Sequence, residues 1–296
     1  MLARTRRLAF IQIIITSLLW GSSFVLIRFG LDEIGPLTLA GLRYTAAGVF
    51  LLPIMRFQRI CIKDFRKHLW LLALLGVLQF TIGNGFVGLA LKILPSTTVS
   101  LLTNLTSPII LLLGIIWLKE NPGLWQYLGL FLTLIGTVLF FFPLTVNFDN
   151  RGLFVIAFGL MGFSLYSLIG RLVARSREVP YLMQTALPFI IGGGALLLPA
   201  ILMEGLPVIT PKGFLILAWM VVFNSIIGYL LYNQAISQLS VVETNVMLKL
   251  TPFFTALVAW LLLGETITLL QIIAMSIVLT GTFLVQLEKT SVLLNN

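Results

Sequence analysis

With 296 residues, 59% of them apolar and only 10% charged, the chain carries more apolar surface than a soluble globule can hide, since ordinary domains hold roughly a quarter charged residues. The net charge of +9 would suit a nucleic-acid binder. Here, however, the basic residues stand in short clusters between apolar runs, which is the pattern of membrane topology, and no nucleic-acid partner is expected.

The first apolar run, 8–27, follows Arg4, Arg6 and Arg7. It imitates a signal peptide, but it is long for one and lacks a convincing small-x-small cleavage site, so it reads as an uncleaved first membrane helix. Further runs follow at 36–55, 69–91, 95–118, 124–142, 153–170, 181–202, 214–236, 240–263 and 267–287. A helix of about 20 apolar residues crosses the hydrocarbon core. None of the runs alternates with the period of a porin strand, and an open sheet cannot satisfy its backbone in lipid. The expected fold is therefore an all-α integral membrane protein of ten transmembrane helices, with the lipid bilayer as its solvent. Cys61 and His68 are the sole cysteine and histidine. An intramolecular disulfide and a His/Cys metal cage are excluded, and no metal or other cofactor is expected.

Lys and Arg counts orient the chain. With the N-terminus in the cytoplasm, Arg4, Arg6, Arg7, Arg56, Arg59, Lys63, Arg66, Lys67, Lys119, Arg171, Arg175, Arg177 and Lys289 lie inside, against Arg28, Lys92, Arg151 and Lys212 outside. This asymmetry predicts a multi-pass inner (plasma) membrane protein with both termini cytoplasmic.

The two halves resemble each other. Thr106-Ser107-Pro108 aligns with Leu250-Thr251-Pro252, Leu118-Lys119-Glu120 with Leu263-Gly264-Glu265, Gly136-Thr137 with Gly281-Thr282, Arg28 with Arg171, and Pro36 with Pro180, at offsets of 143 to 145. A near-constant offset across several helices indicates duplication. The repeats divide at the polar segment 143–151, giving 1–146 and 147–296. Five spans is an odd number, so the second copy enters the bilayer inverted, an architecture used by many secondary transporters.

Leu19-Trp20-Gly21-Ser22-Ser23-Phe24, Pro36, Gly41-Leu42-Arg43-Tyr44 and the duplicated Pro108…Glu120 and Pro252…Glu265 patterns carry a resemblance over nearly the whole chain. The sequence resembles an EamA-type member of the drug/metabolite transporter superfamily. That resemblance implies export of small metabolites, often amino acids or related zwitterions, from the cytoplasm.

Several residues stand out for chemistry. Pro108 and Pro252 interrupt their spans and deprive the carbonyls of Asn104 and Leu248 of a donor. Such carbonyls line a cavity or pack against protein. Lys249 lies about nine residues into its span, roughly 13 Å deep at 1.5 Å per residue. It binds a substrate carboxylate or changes charge in transport, or else it pairs structurally. Glu243, about one turn from the cytoplasmic end of the ninth span, is the candidate proton-coupling carboxylate; the alternative is an interfacial acid. Arg43 resembles an arginine often found at this place in the family, and either organises structure or holds a carboxylate. Trp20 and Tyr44 are weaker pore candidates, as are Asn84 and Tyr229. Tyr229, Tyr232 and Asn233 share one helix face.

The expected site is a central cavity between the repeats near the midplane, taking a small-molecule substrate whose carboxylate meets Lys249 and whose ammonium meets the carbonyls. Two other readings remain. A passive channel would want a charged ring or repeated filter sequence. A membrane-embedded enzyme would want paired acids, a Ser/His set or metal ligands. The oligomeric state is not legible.

Overall fold

The computed structural model describes residues 2–60, 66–118, 122–141, 149–176, 179–236, 238–239, 244 and 247–287. Glu243 lies outside the described residues, as do Lys119, Glu120 and Asn245. Among the described residues all regular structure is helical.

Among the described residues ten helices follow in chain order. They are α1 (Leu2–Phe29), α2 (Pro36–Phe57), α3 (69–91), α4 (96–118), α5 (Leu124–Phe140), α6 (Asn150–Ser176), α7 (Tyr181–Glu204), α8 (211–236), α9 (Thr251–Leu263) and α10 (Leu269–Leu287). Seven of the apolar stretches are long enough to cross a bilayer, and three shorter apolar helices, α5, α9 and most of α10, complete the set. Among the described residues these helices fit the ten spans expected from hydropathy, the ninth being described as a helix over Thr251–Leu263.

Four of these helices are not regular. α3 passes from Leu69–Gly76 through a π-helical segment, Val77–Asn84, into Gly85–Leu91. α8 does the same, from Pro211–Trp219 through Met220–Ile227 to Gly228–Ile236. α4 is broken between Ser96–Thr103 and Thr106–Leu118. α9 is preceded by a turn at Lys249–Leu250. Each irregularity is matched in the other half of the chain. The π segments are 143 residues apart, and the breaks 145 apart, within the offsets of the sequence repeat.

The chain forms two compact units, each drawing on both halves. Unit 1 comprises residues 1–25, 94–149 and 231–296, and so holds most of α1 with α4, α5, α9 and α10. Unit 2 comprises 26–93 and 150–230, and so holds α2, α3, α6, α7 and most of α8.

Each unit is organised around a helix packed on its own repeat mate. In unit 1, α5 meets α10 through glycine: a Cβ on Gly129 would lie 2.5 Å from the carbonyl oxygen of Gly281. In unit 2, α2 meets α7 similarly, where a Cβ on Gly193 would lie 2.6 Å from the amide nitrogen of Thr45. Small residues allow this approach, and backbone-to-backbone packing replaces the hydrophobic drive that lipid removes. The opposite face of α5 is lipid-facing in composition, with Phe131 62% and Val138 65% exposed. In unit 2 a core of Leu37, Tyr44, Leu51, Phe80, Met183, Phe189 and Leu196 fills the space between helices.

Candidate functional site

In unit 1 the two helix breaks are built from threonine. Thr106 Oγ1 donates to Thr103 O at 2.6 Å, and Thr251 Oγ1 donates to Leu248 O at 2.6 Å. The two hydroxyls stand 145 residues apart, as do their acceptors, so the duplicated sequence rebuilds one turn twice. The prolines act at the start of helical segments. Pro252 sits in the first turn of α9, with Leu250 as N-cap, and Pro108 is the third residue of Thr106–Leu118. A first-turn N–H has no intrahelical partner, so its loss there is harmless. The interruption expected at each proline is a break just before it, not a kink within a continuous helix.

The two carbonyls expected to be freed by proline both gain local donors. Asn104 O accepts from Ser107 N at 3.2 Å, and Leu248 O accepts from the Thr251 hydroxyl. Each carbonyl keeps a second lone pair. Asn104 itself is buried, 5% exposed.

Lys249 occupies the turn and is partly buried. Among the described residues, no carboxylate or hydrogen-bond acceptor engages its Nζ. The turn is held from α1. Ser17 Oγ donates to Met247 O at 2.9 Å, and a Cβ on Gly21 would lie 3.0 Å from Thr251 O. Thr255 Oγ1 lies 3.1 Å from Gly21 O and 2.9 Å from Ser100 Oγ, linking α1, α4 and α9. Trp20 packs its ring 5.4 Å from that of Tyr232. Lys249, Leu248, Asn104, Pro108, Pro252 and Trp20 thus all belong to unit 1.

Tyr44, Asn84 and Tyr229 belong to unit 2, and the structure brings them together around the π segments. Tyr44 Oη donates to Asn84 Oδ1 at 2.8 Å. Asn84 Nδ2 donates to Gln79 O at 2.8 Å, one π turn earlier. The rings of Tyr44, Phe80, Phe189 and Tyr229 form a continuous stack with centroids 4.5 to 5.4 Å apart. From α2, Arg43 Nε donates to Ser225 Oγ in the π segment of α8 at 2.7 Å. π segments inside α-helices frequently mark functional positions, because the extra residue re-aims side chains.

Two carboxylates, Glu204 and the repeat-marking Glu265, fasten the starts of α2 and α4. Glu204, the last residue of α7, accepts from Leu37 N at 3.0 Å and Thr38 N at 2.8 Å, and pairs with Lys92 at 3.7 Å. Glu265 accepts from Ser96 N at 2.9 Å, Thr97 N at 3.3 Å and Thr97 Oγ1 at 2.9 Å. The sequence held one clue. The N-cap residues are Gly35 and Pro95, which offer no side-chain acceptor, so the helix-start N–H groups need a carboxylate from elsewhere. A third acid, Glu33, accepts from the Thr210 hydroxyl and pairs with Lys212 at 3.1 Å. The Thr210 hydrogen bond, followed by Lys212, holds its carboxyl below the usual range.

Fold and site define a polytopic helical membrane protein whose irregular backbone and sparse internal cations gather in duplicated segments. A solved crystal structure shares this fold over 95% of the chain and 98% of its own length, with a TM-score of 0.68 at 18% identity. The EamA-like transporter family matches residues 7–142 and again 150–287, so the chain belongs to that family, within the drug/metabolite transporter superfamily. It is 29% identical over 281 residues to an uncharacterized transporter of Archaeoglobus fulgidus, covering 91% of this chain and 94% of that protein. It is 24% identical over 277 residues to the uncharacterized inner membrane transporter YedA of Escherichia coli K12, covering 92% and 88%. With YyaM, an uncharacterized transporter of Bacillus subtilis, it shares 25% identity over 282 residues, covering 92% and 91%.

Proposed function

We propose that this membrane transporter exports small zwitterionic metabolites, amino acids and their relatives first among them, from the cytoplasm across the inner membrane by alternating access of two inverted repeats, 1–146 and 147–296. Both termini lie in the cytoplasm in this reading. The observation that carries it is Lys249, a cation at a helix break with no acidic partner among the described residues. A lone ammonium held from water is costly, and an incoming carboxylate offsets that cost. The second lone pairs of the Asn104 and Leu248 carbonyls suit an ammonium group. Trp20 supplies aromatic surface within the same unit, and Glu243 is the candidate for proton coupling.

Counterflow in proteoliposomes tests this reading. Substrate-saturable exchange separates a carrier from a channel. Lys249→Ala should weaken carboxylate substrates by about tenfold to a hundredfold, the value of a hydrogen bond to a charged group, while sparing uncharged analogues. Lys249→Arg should restore transport only in part, because the guanidinium differs in shape. Glu243→Gln should abolish proton-driven flux and spare exchange. Unchanged affinity and flux in Lys249→Ala for every substrate would remove the lysine from the site.

A further inference from the structure

Arg43 is the one charged side chain that is fully buried among the described residues, at 4% exposed. A guanidinium is charged at every working pH and carries five N–H donors. Among the described residues only Ser225 accepts from it, through Nε. No carboxylate pairs with it there. Its guanidinium carbon also lies over the Tyr44 face, 4.8 Å from the ring centroid.

Two polar groups of α2 and α3 are committed elsewhere. The Tyr44 hydroxyl donates to Asn84, whose amide donates to the Gln79 carbonyl. One neutral hydrogen bond and one aromatic face do not balance a desolvated guanidinium, whose uncompensated burial is among the costliest events in a protein interior. Nor is the setting ordinary helix: Ser225 and Asn84 both lie in π-helical segments, placed at equivalent positions in the two halves of the chain.

We propose that Arg43, with Ser225 and the Tyr44 ring, forms an anion site inside unit 2 that takes a monovalent anion, either a halide or the carboxylate of a small solute. The anion supplies the missing counter-charge and accepts the remaining guanidinium N–H groups, for which planar, bidentate recognition is the natural mode. The aromatic stack behind Arg43 shields that pair from water. This site goes beyond the transport reading, which places its carboxylate on Lys249 in unit 1. It does not depend on transport taking place.

The test is anion-dependent stability of the purified full-length protein in nanodiscs. The protein is held at fixed pH and ionic strength with a bulky sulfonate as sole anion, then titrated with chloride in one arm and acetate in another. Linkage predicts a saturable rise in the unfolding midpoint, about 2 °C or more at tenfold excess over the dissociation constant. A response to chloride alone identifies a halide site, to acetate alone a carboxylate site, and to both a general monovalent-anion site. Arg43→Gln should abolish the response. Ser225→Ala keeps the guanidinium and loses its anchor, and should move the midpoint of the titration to higher anion concentration. Lys212→Ala, an exposed cation, should leave it unchanged. If Arg43→Gln does not fold, Arg43→Lys replaces it and should reduce the response, since a lysine cannot reproduce the planar fork. A wild-type midpoint that is the same in sulfonate, chloride and acetate overturns the proposal, as does a full response in the Arg43 variants. Because the readout is stability and not flux, failure here leaves the Lys249 reading standing, and failure there leaves this one standing.

Discussion

The two compact units interrupt their helices in different ways. In unit 1, α4 and α9 are cut by turns at Asn104–Leu105 and Lys249–Leu250. In unit 2, α3 and most of α8 stay continuous but widen to π geometry over eight residues each. A turn exposes backbone carbonyls and needs hydroxyl side chains to close it, which Thr106 and Thr251 provide. A π segment keeps its backbone bonded and changes only which way its side chains point. Each unit also carries one basic residue at its irregularity, Lys249 beside a turn and Arg43 against a π segment. The lesson is that duplication preserved the kind of irregularity as well as its position. The turn recurs in α4 and α9, the π segment in α3 and α8.

The largest expected effect comes from filling a glycine contact within one unit. A Cβ at Gly192 would lie 2.1 Å from Gly76 O, so Gly192→Leu forces α7 away from α3 in unit 2. Gly281→Leu does the same to α5 and α10 in unit 1, where a Cβ would lie 2.6 Å from Thr133 N. Each should cost about 3 kcal/mol or more, the upper range for overpacking. Hydrogen exchange then sharpens the comparison. Gly192→Leu should deprotect the α2, α3 and α7 amides first. Equal loss of protection in α5 and α10 would show that the units are one cooperative block.

The carboxylate fasteners come next. Glu265→Gln removes a charged acceptor from three donors, and Glu204→Gln from two donors and Lys92. Each should cost about 1.5–3 kcal/mol, with exchange accelerated in the first turn of α4 or α2 respectively. An effect confined to the wrong helix would refute the assignment. Smaller still, Thr106→Val and Thr251→Val each delete one hydroxyl bond at a break and should each cost about 1 kcal/mol. Near-equal shifts in thermal midpoint are expected if the two turns are equivalent. A large difference would break the equivalence.

The smallest effect is the pH dependence at Glu33. Its carboxyl is held below the ordinary value by the Thr210 hydroxyl and Lys212. A lowered folded-state pKa means the contribution is present above the unfolded value and is lost as pH falls through the folded one. Acidification from pH 7 toward pH 4 and below should therefore raise exchange at the start of α8, where Thr210 also caps Gly213 N at 3.0 Å. In Glu33→Gln that trend should flatten. A slope identical to wild type would place the titrating group elsewhere.

Much of this was open to reading from the chain alone. Ten apolar runs became ten helices because lipid leaves the backbone no other way to bond itself. The near-constant offset of the repeats recurs in the spacing of the irregularities, and Lys249 and Asn104 stand at the two helix breaks. The nature of those breaks was less legible. A proline removes one donor wherever it stands, and whether it bends a helix or begins one depends on the residues packed before it.

The sequence by itself determined the solvent, the number of spans, the duplication and the family, since these follow from hydropathy period and residue offset, which are properties of one dimension. Tertiary structure decided the rest. It placed Lys249, Asn104 and Trp20 in one compact unit and Tyr44, Asn84 and Tyr229 in the other. It set Arg43 against Ser225, 182 residues away, and Glu265 over Thr97, 168 residues away. The reason is physical. Helices from both halves of the chain interleave in each unit, and a buried charge finds its partners through packing that no local pattern records.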